Sequence, residues 1–76
     1  MTIKVTAGRW AQRWLSQTEA ASINSDNGLT AIEAVKLAGI PEEEIGPLEL
    51  NGKIVPPNTA LNDGDELLCH PCIIGG

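Results

Sequence analysis

Residues 25–41 read SDNGLTAIEAVKLAGIP, and this stretch carries a full set of helix signals. Asn27-Gly28 marks a turn. Thr30 and Glu33 then make the T-x-x-E pattern, in which each side chain caps a backbone N–H of the other end of the first turn. Ile32, Val35 and Leu37, with Ala31, Ala34 and Ala38, give an apolar stripe. Gly39 stands where a left-handed residue closes a helix, and Pro41 forbids continuation. The pattern predicts one helix, about Thr30 to Ala38. Everything on either side reads as strand or turn.

Upstream, MTIKVTA (1–7) alternates, with Met1, Ile3 and Val5 on one side and Thr2, Lys4 and Thr6 on the other, as in a half-buried strand. Gly8 breaks it. In RWAQRWL (9–15), Trp10 and Trp14 fit one face of a helical turn, and fit a wide hairpin loop equally well. EAASIN (19–24) is a strand candidate despite alanine and serine, which are poor strand formers.

Downstream, PEEEIG (41–46) reads as a short acidic turn, with Pro41 at its first helical position and Glu42, Glu43 and Glu44 on exposed amides. It is a solvated helix start or a docking point for a basic partner. PLELNGKIV (47–55) is a strand pair around Asn51-Gly52, closed by Pro56-Pro57. Asp63-Gly64-Asp65 turns the chain into a last strand, ELLCH (66–70). These acids lack the spacing of an EF-hand loop. One amphipathic helix among five strands has a natural place across one face of one sheet. The expected fold class is therefore a small α+β roll.

With 76 residues, 42% of them hydrophobic and 20% charged, the chain is one globular domain. Its core must be aliphatic, because Phe and Tyr are absent and Trp10 and Trp14 are the only aromatics. Such a core leaves little room for an enclosed substrate pocket of ~300–1,000 Å³, so an enzyme is not expected. The net charge of −5 disfavours nucleic acid and anionic membranes as partners. It suits a basic protein partner. No apolar run approaches the ~20 residues of a transmembrane helix, and no signal peptide is apparent. Cytoplasm is the expected location.

The last residues carry the functional reading. The segments IPEEEIG, LNGKIVPP, NDGDELL and IIGG, in this order, resemble the β-grasp sulfur carriers of the ThiS/MoaD family, which are relatives of ubiquitin. The resemblance runs from Gly28 to the end. It implies a β-grasp (ubiquitin-like) roll over residues 1–72, with a mixed sheet of four to five strands and one main helix across one face. The first and last strands would pair in parallel at the centre. It further implies a flexible tail, residues 73–76, whose Gly76 carboxylate is adenylated by an E1-like enzyme using ATP. A sulfur donor then converts the acyl-adenylate to a thiocarboxylate, and a cofactor synthase accepts the sulfur. The carrier would hold no cofactor of its own. Thiamine, molybdopterin or tungstopterin, cysteine and tRNA thiolation all fit such a terminus.

The chemistry accounts for the residue types. A carboxylate has no leaving group, and adenylation supplies one. Gly75 and Gly76 lack Cβ atoms and can enter a channel too narrow for side chains. Four extended residues reach about 13 Å at ~3.3 Å each. Ile73 and Ile74 would anchor the tail in the partner's groove. On the last strand, alternation separates Leu67 and Cys69 from Leu68 and His70. By likeness to the family, the first pair faces the helix and the second the partner.

Cys69-His70-Pro71-Cys72 departs from the family and has three readings. As a metal site, Cys69, Cys72 and His70 give at most three of the four ligands of a structural zinc centre. As a redox pair, residues three apart in a strand lie ~10 Å apart, beyond the ~7 Å a disulfide spans, unless His70-Pro71 turns. As packing, Cys69 is a small core residue and Cys72 a tail residue. Two rivals to the carrier follow. One is a ubiquitin-like modifier joined to lysines through Gly76. The other is a metal or redox module using Cys69 and Cys72.

Overall fold

The computed structural model describes residues 1–15 and 20–72. Five strands and one helix appear in the order β1 (Thr2–Ala7), β2 (Ala20–Asn24), α1 (Ala31–Leu37), β3 (Ile45–Leu50), β4 (Lys53–Val55) and β5 (Glu66–Pro71). The sheet order is β2-β1-β5-β3-β4. β1 and β5 pair in parallel, and every other pair is antiparallel. This is the β-grasp, ubiquitin-like fold, and the first and last strands lie at its centre as expected.

Helix α1 forms because its start is fully satisfied. Glu33 N–H donates to Thr30 Oγ1 at 3.4 Å, and Thr30 N–H donates to Glu33 Oε1 at 2.8 Å, completing the capping box. The loop after β4 supplies the remaining acceptors. Ala31 N–H donates to the Thr59 carbonyl at 2.9 Å and Ile32 N–H to that of Pro57 at 2.8 Å. The donors a helix start leaves unpaired are thus met by a distant segment as well as by its own cap. The Thr30 hydrogen bonds hold the Glu33 carboxyl below its ordinary range. At the other end Gly39 takes a φ of +112°, where an added Cβ would meet the Trp14 carbonyl oxygen at 2.6 Å.

The helix packs on β1 and β3 through Ala31, Ala34 and Val35, all fully buried. Alternate residues of the strands complete the core: Ile3, Val5 and Ala7 on β1, Leu48 on β3, Leu67 and Cys69 on β5, joined by Ala11, Leu15, Ile40 and Leu61. Two features of the sequence reading need correction. Leu37 does not join the stripe and is 60% exposed. At 3.6 residues per turn it lies about 120° from the line of Ala31, Ala34 and Val35. Pro41 is not the first residue of the acidic 3-10 turn Glu42–Glu44 but its extended N-cap, with φ −61° and ψ 144°.

The tryptophan segment is the helical turn rather than the hairpin loop. A 3-10 turn at Arg9–Ala11 continues in turns to Leu15, whose N–H donates to the Ala11 carbonyl at 3.1 Å. Ala11 and Leu15 enter the core, while Trp10 and Trp14 cover its rim half-buried. Their rings meet edge to face at 6.2 Å, and the Arg13 guanidinium lies 5.2 Å from the Trp14 ring centre. Among the described residues no helix is long and apolar enough to cross a membrane.

Candidate functional site

β5 leads to the chain's last residues, and its neighbours fix it on both sides. Lys4, Val5, Thr6 and Ala7 of β1 lie opposite Glu66, Leu67, Leu68 and Cys69. Leu48, Glu49 and Leu50 of β3 lie opposite Cys69, Leu68 and Leu67. The period of two then sorts the side chains. Leu67 and Cys69 are each 1% exposed and face the helix, whereas Leu68 and His70 are half-buried on the helix-free face. The register expected from the sequence is the register of the fold.

Around Leu68 the open face has a shallow depression of about 520 Å³, lined by Thr6, Glu49, Asn51, Gly52, Glu66, Leu67 and Leu68. It is open to solvent and is not an enclosed chamber. His70 Nε2 lies 2.9 Å from Glu49 Oε1. Across the next pair, Glu49 stands opposite Ile54, which is 63% exposed. An apolar strip of Leu68 and Ile54 is therefore interrupted by one carboxylate, itself tied to the imidazole. Lys4 and Glu66 sit on the same face at 3.9 Å. Glu49 and Ile54 were not singled out in the sequence. The signal was present, because the alternation of Leu48 and Leu50 turns Glu49 outward and the Asn51-Gly52 turn sets Ile54 against it.

The end of β5 is held by the start of β3. Cys72 N–H donates to the Glu44 carbonyl at 3.2 Å, and Ile45 pairs with Pro71. A bulge between Ile45 and Leu48 brings Gly46 against β5. A Cβ there would lie 2.2 Å from the Pro71 carbonyl oxygen. Only glycine allows this approach. Cys72 is consequently held beside the acidic turn Glu42–Glu44. The expected tail residues Ile73, Ile74, Gly75 and Gly76 lie outside the described residues.

The two cysteines have different surroundings, and both are free thiols. Cys69 Sγ donates to the His70 carbonyl at 3.6 Å. Burial pushes its thiol up to about 11, against the opposing effect of a Gly46 backbone hydrogen bond. Cys72 is exposed. Cys69 points to the helix and His70 away from it, so the backbone of β5 lies between two of the three candidate ligands. Among the described residues no group of three or more His, Cys, Asp or Glu side chains is placed to hold a metal ion.

Three solved structures share this architecture. SAMP1 from Haloferax volcanii is 18% identical, with all of both chains covered and a TM-score of 0.71. A putative molybdopterin converting factor, subunit 1, from Pyrococcus furiosus is 24% identical over 96% of this chain and 99% of that one, with a TM-score of 0.71. A chain of the Amycolatopsis orientalis BexX/CysO complex is 18% identical over 97% of this chain and 99% of that one, with a TM-score of 0.63. At such identities the likeness speaks for the fold, and at that level it agrees with the resemblance seen in the sequence. No curated protein matches the chain. The family model described as Mut7-C ubiquitin matches residues 13–74, most of the chain, and the protein belongs to this family.

Proposed function

We propose that this protein is a sulfur carrier without catalytic groups of its own, in which the carboxylate of Gly76 is the reactive group. An E1-like enzyme joins that carboxylate to AMP from ATP, releasing pyrophosphate. A sulfur nucleophile then displaces AMP and leaves a thiocarboxylate, whose sulfur passes to a metabolite on a separate synthase. Gly75 lets the terminus enter the partner's channel, Ile73 and Ile74 seat the tail, and Leu68 with His70 docks the sheet. A thiamine or molybdopterin-type cofactor is the destination the sequence resemblance favours.

The observation that carries this reading is the arrangement of β5. The strand is locked between β1 and β3, turns Leu68 and His70 to a helix-free face, and ends at Pro71, two residues before Ile73. Such a strand offers a partner a mixed surface of Leu68, His70 and Glu49 on the strand pair that precedes the proposed tail. Likeness to the fold of a molybdopterin converting factor subunit supports it.

The test is the mass of the intact chain after coexpression with an activating enzyme. A carrier gains the difference between one sulfur and one oxygen on its C-terminal peptide. Deleting Gly76 abolishes that gain and leaves the melting curve unchanged, and Leu68→Arg reduces it with the fold intact. A ladder of lysine-linked adducts in place of the sulfur-bearing species identifies a protein modifier instead.

A further inference from the structure

The two edges of the sheet differ. β4 is three residues long, begins with Lys53 and runs into Pro56-Pro57. Short length, lysine and proline are common guards against stray strand pairing. β2, at the other edge, has five described residues, Ala20–Asn24, with neither charge nor proline among them. Its ladder with β1 shows which groups point outward. Ser25 N–H donates to the Met1 carbonyl at 2.9 Å, and the Met1 amino group donates to the Ser25 carbonyl. Pairs alternate along an antiparallel ladder. Ile3–Ile23 and Val5–Ala21 are therefore hydrogen-bonded pairs, while Thr2–Asn24 and Lys4–Ser22 are not. The backbone N–H and C=O of Ser22 and of Asn24 accordingly face away from the sheet, and they have no protein partner among the described residues.

We propose that β2 is a self-pairing edge, to which a second copy of this chain adds its own β2 antiparallel about a two-fold axis at Ile23. The outward groups dictate the register. Ser22 of each copy exchanges both backbone bonds with Asn24 of the other, so all the unpaired groups of these two residues are satisfied without using Ala20. Ile23 then faces Ile23 of the second copy in a non-hydrogen-bonded pair, with Cα atoms about 4.5 Å apart. That contact covers its half-buried side chain. No charges meet along the strands, so the like-charge penalty of cross-strand pairs does not arise. The register is self-complementary, because the two-fold places Ser22 of each copy opposite Asn24 of the other and brings the two Ile23 side chains together. One short strand pair falls below the ~1,200 Å² of a standard stable interface, so the dimer is weak and depends on concentration.

Sedimentation equilibrium of the intact chain, from micromolar to millimolar protein, tests this. The expected result is a reversible monomer–dimer equilibrium that Ser22→Pro abolishes. That substitution removes an outward N–H and leaves the β1–β2 bonds in place, so melting should be unchanged. Independently, Ile23→Cys in a Cys72→Ser background should yield a disulfide-linked dimer on mild oxidation, and Ala21→Cys in the same background should not. A chain that stays monomeric at millimolar concentration overturns the proposal. So does a dimer that persists in a folded Ser22→Pro variant, or equal cross-linking from positions 21 and 23.

Discussion

The two sides of β5 are built from neighbouring residues and do opposite work. Leu67 and Cys69 face the helix and are sealed from water, whereas Leu68 and His70 face outward beside Glu49 and Ile54. The inward side couples the strand to the core, so its residues should be read out in stability. The outward side has few contacts to lose on unfolding, so its residues should be read out in partner binding. The docking proposed above needs both: a base that does not yield and a face that is still available.

Leu67→Ala is the strongest way to break this contrast. It removes a fully buried side chain and should cost about 2–5 kcal/mol in urea unfolding. Leu68→Ala, one residue on, should cost less than half as much while weakening the docking proposed above. Equal losses would mean that the open face is part of the core.

Gly46→Ala comes next. Its added Cβ meets the Pro71 carbonyl oxygen at 2.2 Å, so β3 and β5 must separate at the Pro71 end of β5. Overpacking of this kind costs about 1–3 kcal/mol, measurable by the same unfolding experiment.

The cysteines sharpen the comparison chemically. With its thiol raised to about 11, Cys69 should resist iodoacetamide at pH 8 in the native protein, while exposed Cys72 is alkylated at once. Mass spectrometry should find a single modification until the chain is unfolded. The linkage sign follows from a folded value above the unfolded one. The contribution is intact below about pH 9 and is lost as pH rises toward about 11, because the native state holds the proton the unfolded chain releases. Cys69→Ala should remove that alkaline fall in stability.

The smallest effect belongs to the His70–Glu49 contact. It is part-buried on the open face, and Glu49→Gln should change stability by less than about 1 kcal/mol. A larger loss would make this pair a structural clasp.

Much of this arrangement was legible in the sequence for local reasons. The capping box of Thr30 and Glu33, the stop at Gly39, the Asn51-Gly52 turn and the alternation of β1 and β5 each depend on a few adjacent residues. Local chemistry of this kind dictated one helix among strands, and it placed Leu67 and Cys69 opposite Leu68 and His70. The errors arose where a neighbour decided the outcome. Leu37 is apolar and periodic in the sequence, yet the sheet meets the face defined by Ala31, Ala34 and Val35, whose small side chains let the backbones approach. In RWAQRWL a helical turn and a hairpin loop were equally open, and packing decided it, with Ala11 and Leu15 inward and Trp10 and Trp14 on the rim.

By itself, then, the sequence determined the main helix with its caps, the strands and the two-sidedness of the last strand, because turns, caps and alternation act over a few residues. Only the tertiary structure decided which residues stand together across strands. The pairing of His70 with Glu49, the closure of Gly46 on Pro71 and the outward amides of Ser22 and Asn24 all depend on strand register. Register is set by long-range pairing and by burial of one face, and neither is a property of any short segment.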